Sequence, residues 1–197
     1  MKQTNSNENC KMSLIVAIDV GIKNLAVCAF SMMTRKVVHW DNVTLVPNGR
    51  YVPALNVQYV RDFVFKHQHL FSNAAVVLVE RQMRCNMRII ESIIQTMFFD
   101  RCLVISPKCV KAHYMLSTSN YKANKAKAVE WVKQFIKANP CAFQEKMDYG
   151  SVAGRFTACG KQDDLADALL LVLYYLDTYS NHTSSVPLVH AECPQTN

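Results

Sequence analysis

Carboxylate side chains at three separated points of the chain are the residues best suited to do chemistry. Asp19 and Glu80 each end an apolar run, and Asp163, Asp164 and Asp167 open a long apolar segment near the C-terminus. A carboxylate beside a buried segment is costly to desolvate unless a cation or hydrogen-bond donors meet it. Three such places in one small protein indicate acids gathered around a hard divalent metal ion, and Mg²⁺ binds to such carboxylates.

The spacing of the C-terminal acids separates those with ordinary roles from those suited to a metal. In a helix, Asp164 and Asp167 face the same direction because they are three residues apart. Asp163 fits the N-cap or first turn, where a carboxylate accepts backbone N–H bonds and meets the helix dipole. Asp167 lies a turn further in, where the residues that follow are apolar and a carboxylate needs a partner. The predicted catalytic metal ligands are therefore Asp19, Glu80, Asp164 and Asp167.

Four carboxylates suit a centre with two Mg²⁺ ions. One ion would activate a water molecule, and the other would stabilise the leaving 3′ oxygen of a phosphodiester. Acids crowded together repel one another, and a pair of cations relieves this repulsion. The chain has 22 basic and 15 acidic residues, a formal charge of +7, which supports a polyanionic partner. The arrangement thus predicts a metal-dependent nuclease whose positive surface holds the nucleic-acid backbone.

The hydrophobic pattern predicts the elements that must position these acids. Apolar runs predict strands at 14–20, 25–31, 36–40, 74–80 and 102–106. Amphipathic spacing predicts helices at 53–70, 86–99, 122–138 and 163–179, with a helical turn beginning at residue 107. This is an α/β order with a five-stranded mixed sheet flanked by helices, and it resembles the ribonuclease-H-like fold. In that fold the first and fourth strands are neighbours and the last helix crosses the same edge, so the acids should meet there.

Length and composition bound the organisation of the chain. With 197 residues, 50% of them hydrophobic, we expect a single globular domain at 13–179, a flexible leader at 1–12 and a flexible tail at 180–197. The eight cysteines include no Cys-x-x-Cys pair, which argues against a zinc site. The sequence shows no signal peptide and no apolar run long enough to span a bilayer, so we expect a soluble intracellular protein with no membrane partner.

Five segments in a fixed order carry a resemblance to a known family. They are Ile-Asp-Val-Gly-Ile-Lys-Asn at 18–24, Val-Glu-Arg-Gln at 79–82, Ile-Ser-Pro at 105–107, a lysine-rich helix start at 122–127, and Lys-Gln-Asp-Asp-Leu-Ala-Asp-Ala-Leu at 161–169. This order resembles the Holliday junction resolvases of poxviruses and other large DNA viruses, which are relatives of the bacterial RuvC resolvase. The resemblance covers residues 13–179.

The resemblance implies a function, a cofactor and partners. The residues that correspond by position to the catalytic acids of the resolvases are Asp19, Glu80, Asp164 and Asp167. The resemblance also implies Mg²⁺ or Mn²⁺ dependence, a homodimer, and paired symmetric cuts across branched DNA, namely four-way (Holliday) junctions, in viral recombination or genome concatemer processing. If the poxvirus resemblance holds, we expect the protein in the host cytoplasm.

Two other functions stay open on the same fold. A ribonuclease H acting on RNA–DNA hybrids would use the same acids but would need no dimer face. A non-catalytic nucleic-acid-binding module would have at least one degraded acid, whereas all four acids are present here. An actin-like or sugar-kinase ATPase is excluded, because it would need two phosphate-binding lobes and this chain has one Asp-Val-Gly turn and is too short.

The basic residues are assigned to two roles. The resolvases carry an active-site lysine near the start of the helix before the glycine-rich loop; Lys125 fits its spacing best, and Lys122 and Lys127 are the other candidates. The residues predicted to contact DNA are Lys23, Arg81, Lys108, Lys111, Lys122, Lys127, Arg155 and Lys161. Residues 148–162 hold three of the five glycines and are predicted to form a loop, either a plain connector or a substrate-contacting segment.

The helix predicted at 86–99 is assigned to the homodimer. A four-way junction has two-fold symmetry, and a C₂ dimer provides one active site for each of the two strands that must be cut. The apolar stripe of this helix consists of Met87, Ile90, Ile94 and Met97, its neighbouring face of Ile89, Ile93 and Thr96, and its polar edge of Arg84, Arg88, Glu91 and Gln95. A helix that covers one side of a sheet needs a single stripe, so the wider arc leaves surface for a partner helix. The alternative is a helix that lies deep in the core.

Overall fold

The structure of the chain is a computed structural model, and it describes residues 13–46, 49–146 and 150–179. The predicted leader at 1–12 and tail at 180–197 lie outside the described residues. The strands are β1 (Leu14–Asp19), β2 (Leu25–Ser31), β3 (Lys36–Val43), β4 (Ala74–Glu80), β5 (Cys102–Ile105), β6 (Glu145–Lys146) and β7 (Gly150–Ser151). The helices are α1 (Asn56–Lys66), α2 (Gln68–Phe71), α3 (Cys85–Met97), α4 (Pro107–His113), α5 (Tyr121–Ala138), α6 (Val152–Ala158) and α7 (Gln162–Tyr179).

The central sheet has five strands in the order β3-β2-β1-β4-β5. β2 pairs antiparallel with β1 and β3, whereas β4 pairs parallel with β1 and β5, so the predicted mixed sheet is confirmed. β1 and β2 are buried along their whole length, which agrees with their unbroken apolar sequences. Ile18 of β1 pairs with Val79 of β4, so the next residues, Asp19 and Glu80, end their strands side by side.

Alternating strand side chains build two hydrophobic cores, one on each face of the sheet. Ile15 and Ala17 of β1 belong to the core that contains α7, whereas Val16 and Ile18 belong to the core that contains α3. The middle of α7 is buried against β1 and β2, and this packing fixes the first turns of α7 near the end of β1. Although α7 is apolar, no helix in the part of the chain that the structure describes is long and apolar enough to cross a membrane.

The helix predicted at 53–70 is divided in the structure. A short 3-10 turn at Pro53–Leu55 precedes α1, and α2 follows it after a break at His67. The backbone of His67 leaves helical geometry, with φ −108° and ψ 23°, and its buried ring lies with Nδ1 2.9 Å from the carbonyl oxygen of Phe63. The backbone N–H of His67 bonds to the same carbonyl oxygen at 3.1 Å, so backbone and side chain both close the last turn of α1.

The short helix α6 lies inside residues 148–162, which the glycine content predicts as a loop, so that prediction is wrong for Val152–Ala158. Val152 and Phe156 are buried, and the ring of Phe156 stacks on Trp40 of β3 with centroids 4.8 Å apart. The indole Nε1 of Trp40 in turn donates a hydrogen bond of 2.9 Å to the carbonyl oxygen of Leu165 in α7. Tertiary packing on Trp40 therefore overrides the local effect of the glycines.

Candidate active site

The four predicted acids converge on one cleft at the edge of the sheet. Asp19 ends β1 and Glu80 ends β4, while Asp164 and Asp167 lie in the first two turns of α7. The cleft has a volume of about 900 Å³, and all four carboxylates line it. The adjacent ends of two parallel strands and the start of one helix thus bring distant parts of the sequence to one point.

The turn between β1 and β2 forms one wall of the cleft and depends on Gly21. A Cβ atom at this position would lie 2.2 Å from the carbonyl oxygen of Asn24, so a larger residue does not fit the turn. The carbonyl oxygen of Lys23 accepts a hydrogen bond of 2.8 Å from the hydroxyl of Thr44. These contacts hold the exposed Lys23 at the rim of the cleft.

The acids of the cleft repel one another. Burial raises the pKa of Asp19 well above its usual value, and the charges of Glu80 and Asp167 raise it further. Burial likewise raises the pKa of Glu80, which shares a side-chain hydrogen bond with Asp19. Burial and then the charge of Glu80 raise the pKa of Asp167 to about 7. The cleft therefore holds more carboxylate charge than its surroundings balance, a condition that a bound cation relieves.

Two lysines partly neutralise these acids. Lys125 of α5 pairs with Asp163 and also reaches Asp164, with 3.6 Å between Nζ and Oδ1. The Nζ atom of Lys111 in α4 lies 3.6 Å from Oδ1 of Asp167. Asp163, which the sequence assigns to the helix N-terminus, is thus also an ion-pair partner. Both lysines lie where they would meet a phosphate that enters the cleft.

The basic residues predicted from the sequence fall into two groups in the structure. Those that line the cleft are Lys23, Arg81, Lys111, Lys125 and Lys161. Those placed outside its lining are Lys108, Lys122, Lys127 and Arg155. The first three of this second group are exposed. Arg155 differs, because its guanidinium donates a hydrogen bond of 3.0 Å to Asp41 and so holds α6 to β3.

Some residues at the site were not assigned to it from the sequence. The side-chain Nε2 of the buried Gln82 donates a hydrogen bond of 3.3 Å to Oε2 of Glu80. Tyr121 lines the cleft with its ring 5.4 Å from Nζ of Lys125. Lys111 is predicted as a DNA contact but lies beside an acid. One feature of the sequence indicates that Lys111 lies near the acids. Pro107 starts a helix directly after β5, and this places Lys111 one turn above the same sheet edge.

The residue set fits a hard divalent cation such as Mg²⁺ or Mn²⁺. Asp19, Glu80, Asp164 and Asp167 offer carboxylate oxygens, the donors that such ions prefer. Among residues 13–46, 49–146 and 150–179, no three His, Cys, Asp or Glu side chains form a ready-made metal site. Asp164 and Asp167 each pair with a lysine, and Asp19 shares a side-chain hydrogen bond with Glu80. The uncompensated charge of these buried carboxyls supports the fit.

The structure corrects the predicted arrangement of α3. Ile90 and Ile94 of the predicted dimer stripe are fully buried in the core, so they are not surface residues. Glu91, predicted on the polar edge of the helix, is buried as well. The outward apolar surface is formed by Met97 of the predicted stripe and Ile89 of the predicted neighbouring face, which are 41% and 43% exposed. The core alternative therefore holds for one side of this helix and not for the other.

Solved structures share this arrangement of sheet and helices. The yeast mitochondrial Holliday junction resolvase Ydc2 gives a TM-score of 0.63 at 20% sequence identity, covering 86% of this chain and 84% of that one. The fowlpox virus Holliday junction resolvase gives a TM-score of 0.59 at 20% identity, covering 84% of this chain and 99% of that one. RuvC of T. thermophilus in complex with a Holliday junction substrate gives a TM-score of 0.52 at 13% identity, covering 85% of this chain and 97% of that one. The predicted ribonuclease-H-like fold is confirmed.

Sequence comparison places the chain in a family. A search of curated protein sequences gives no significant match. A family model described as poxvirus A22 protein matches residues 13–178, which is most of the chain. The resemblance predicted from the motifs is thereby confirmed. The chain belongs to the poxvirus A22 protein family.

Proposed function

We propose that this protein is a metal-dependent endonuclease that resolves four-way DNA junctions by paired, symmetric phosphodiester hydrolysis. The observation that carries the proposal is the convergence of Asp19, Glu80, Asp164 and Asp167 on one cleft, where burial raises the pKa of each of these carboxyls. Membership of the poxvirus A22 family and the fold shared with structures of Holliday junction resolvases support it.

The four carboxylates would hold two Mg²⁺ or Mn²⁺ ions. When bound, such ions supply activation of the attacking water and stabilisation of the leaving 3′ oxygen. Asp19 and Glu80 enter from adjacent strands of the sheet, whereas Asp164 and Asp167 enter from one helix. Rigid elements of this kind fix the carboxylates relative to one another, which catalysis at a metal centre requires.

Lys125 is the catalytic lysine of this proposal. Partial burial opposes its charge, but the hydrogen bond and charge of Asp163 outweigh that effect and raise the pKa of Lys125. Its ammonium group therefore stays protonated and is able to stabilise negative charge on the scissile phosphate. Lys111 lies beside Asp167 in the same cleft and would contact the same phosphate.

The remaining basic residues would hold the DNA backbone. Lys23, Arg81 and Lys161 surround the cleft, so they would contact the phosphates next to the cut. Lys108, Lys122 and Lys127 are exposed on α4 and α5 and would extend this contact away from the cleft. Arg155 is assigned to the same surface, although its pairing with Asp41 leaves it a weaker candidate than the cleft residues.

A homodimer would provide the second cut. α3 and α1 border an apolar groove of about 840 Å³, whose lining includes Ile89, Ile93 and Met97 of α3 and Val57 of α1. Exposed apolar surface of this kind is typical of protein interfaces. A second copy packed on this groove by two-fold symmetry would bring one cleft to each of two opposed strands.

Membership of the poxvirus A22 family supports a viral role. A resolvase in this family would act on junctions made during DNA recombination or on branched replication concatemers, in the cytoplasm of the infected host cell. The alternatives are a ribonuclease H acting on RNA–DNA hybrids and a binding module without catalysis. Both would use the positive surface, but only a junction resolvase needs two clefts on one substrate.

Cleavage of three substrates separates these functions. A synthetic four-way junction, an RNA–DNA hybrid and a linear duplex are incubated with the protein, with Mg²⁺ or with a chelator. The proposal predicts metal-dependent cutting of the junction in preference to both others. Preferential cutting of the hybrid would favour the ribonuclease H, and binding of the junction without any cutting would favour the non-catalytic module.

A further inference from the structure

Glu91 is a buried carboxylate that the proposed mechanism does not use. It lies in the middle of α3, where its side chain is on the core side of the helix beside Ile90 and Ile94, and its residue is 5% exposed. A carboxylate in such a place is destabilising unless strong hydrogen bonds compensate for the lost water. The hydrogen-bond partners of Glu91 therefore indicate its role.

The partner of Glu91 is the backbone of the segment that joins β4 to α3. Oε2 of Glu91 accepts a hydrogen bond of 2.6 Å from the backbone N–H of Gln82. The bond is short, as is usual for a charged acceptor. α3 begins at Cys85, so Glu91 is too far along the helix to be part of an N-terminal capping box. The contact instead ties the segment after Glu80 to the body of the helix.

Gln82 passes this restraint to Glu80. The residue is buried, at 8% exposure. Its side-chain Nε2 donates one hydrogen bond of 3.3 Å to Oε2 of Glu80 and another of 3.2 Å to the backbone oxygen of Glu80. Arg81 lies between Glu80 and Gln82, and its backbone N–H donates a hydrogen bond of 2.8 Å to the carbonyl oxygen of Ile105 in β5. The backbone is thus bonded at two successive amides, and the Gln82 side chain is fixed against the Glu80 carboxylate.

We infer that Glu91 is a positioning residue that orients the Glu80 carboxylate for metal binding through Gln82. The inference rests on the proposed role of Glu80 as a metal ligand. Partners that hydrogen-bond to a ligand fix its orientation, and their loss typically weakens metal affinity or activity by about 10- to 100-fold. Without Glu91 the buried Gln82 N–H loses its acceptor, so the segment must shift to find another.

Binding of Mn²⁺ alone tests the inference without DNA. The measurement is the apparent dissociation constant for Mn²⁺, called the Mn²⁺ midpoint below, which is fitted from the rise of melting temperature with metal concentration. For Glu91→Ala we expect this midpoint to rise by about 10-fold or more. Glu91→Gln keeps an oxygen acceptor and should lie between the wild type and Glu91→Ala. Glu130→Gln, an exposed glutamate on α5, is the matched control and should leave the midpoint unchanged.

A purely structural role for Glu91 predicts a different result. The variant would then melt at a lower temperature without metal, but its Mn²⁺ midpoint and its cleavage rate at saturating metal would equal those of the wild type. That outcome overturns the inference. If Glu91→Ala does not fold, Gln82→Ala provides the test, because it leaves the Glu91 bond to the backbone in place and removes only the contact with Glu80.

A double variant tests the route through Gln82. In the Gln82→Ala background, Glu91→Gln should change the Mn²⁺ midpoint no further, because the link to Glu80 is already lost. Additive shifts would contradict action through Gln82. The same measurements also test the proposed function. If Mn²⁺ has no effect on the wild type, both the metal centre and this inference are wrong. An Mn²⁺ effect that Glu80→Gln removes and Glu91→Ala preserves overturns the inference alone.

Discussion

At the scale of single residues, the buried carboxyls make the metal-free protein sensitive to pH. The pKa of Asp167 is about 7 in the fold, and burial also raises the pKa of Asp19. These groups release protons near pH 4 when unfolded, so between about pH 4 and about pH 7 the folded protein binds more protons than the unfolded one. Their contribution to stability is therefore present at low pH and is lost as the pH rises through this range.

Replacing Asp19 should remove part of this dependence. Asp19→Asn eliminates the repulsion by Glu80 and Asp167 and keeps a side chain that is able to donate a hydrogen bond to Glu80. We expect the metal-free variant to be more stable than the wild type at pH 8, by on the order of 2 kcal/mol, and similar to it at pH 4. Urea unfolding in a chelator at both pH values measures this. A variant that is less stable than the wild type at pH 8 would contradict the electrostatic account of the cleft.

A second prediction at this scale compares a lysine of the cleft with one outside it. Lys125→Met removes the ammonium group nearest to Asp163 and Asp164, and we expect cleavage to slow by about 100-fold or more, as when one charge-stabilising donor is removed. Lys127→Met is the matched control on the same helix, because Lys127 is exposed outside the cleft, and should affect only DNA affinity. Single-turnover rates at saturating protein separate the two effects. Equal rates for both variants would count against Lys125 as the catalytic lysine.

At the scale of elements, the β1–β2 turn does not tolerate a side chain at position 21. In Gly21→Ala the new Cβ would lie 2.2 Å from the backbone oxygen of Asn24, so the turn must open. We expect a loss of stability of about 1–3 kcal/mol, the usual range for a forced backbone shift, with reduced cleavage because Asp19 is two residues away. Gly160→Ala is the control, since its Cβ would meet nothing within 4 Å. Thermal denaturation compares them, and equal melting temperatures would refute the claim.

Local sequence patterns predict some of these elements and fail for others. β1 and β4 are continuous apolar runs that end in acids, so their order and the meeting of Asp19 with Glu80 follow from periodicity and the resembling fold. The break at His67 is local, since its partner Phe63 lies four residues earlier, but hydrophobic periodicity does not show it. The helix at Val152–Ala158 depends on contact with Trp40 of β3, which local sequence does not encode. The same holds for the bond from Gln82 to Glu91. Tertiary contacts, and not local propensity, explain these last two features.

At the scale of the whole molecule, the outward face of α3 is the proposed dimer surface. Because Ile90 and Ile94 are core residues, the test belongs at Ile89 and Met97. Ile89→Glu combined with Met97→Glu should give a folded monomer that nicks junctions but does not resolve them with paired cuts. Met33→Glu, at an exposed apolar residue in the turn after β2, is the control and should stay dimeric. Light scattering at micromolar concentration measures the mass, and a monomeric wild type with normal paired cutting would exclude the dimer.

The cutting of a four-way junction by acid variants tests whether the four carboxylates form the catalytic centre. Each strand of a synthetic junction is labelled in turn, and single-turnover cleavage with Mg²⁺ is compared for the wild type and for Asp19→Asn, Glu80→Gln, Asp164→Asn and Asp167→Asn. We predict matched nicks in two opposed strands for the wild type and rates lower by several orders of magnitude for each variant. Junction binding should be largely kept, because basic residues supply most of the affinity. Near wild-type cutting by Asp167→Asn would contradict the account.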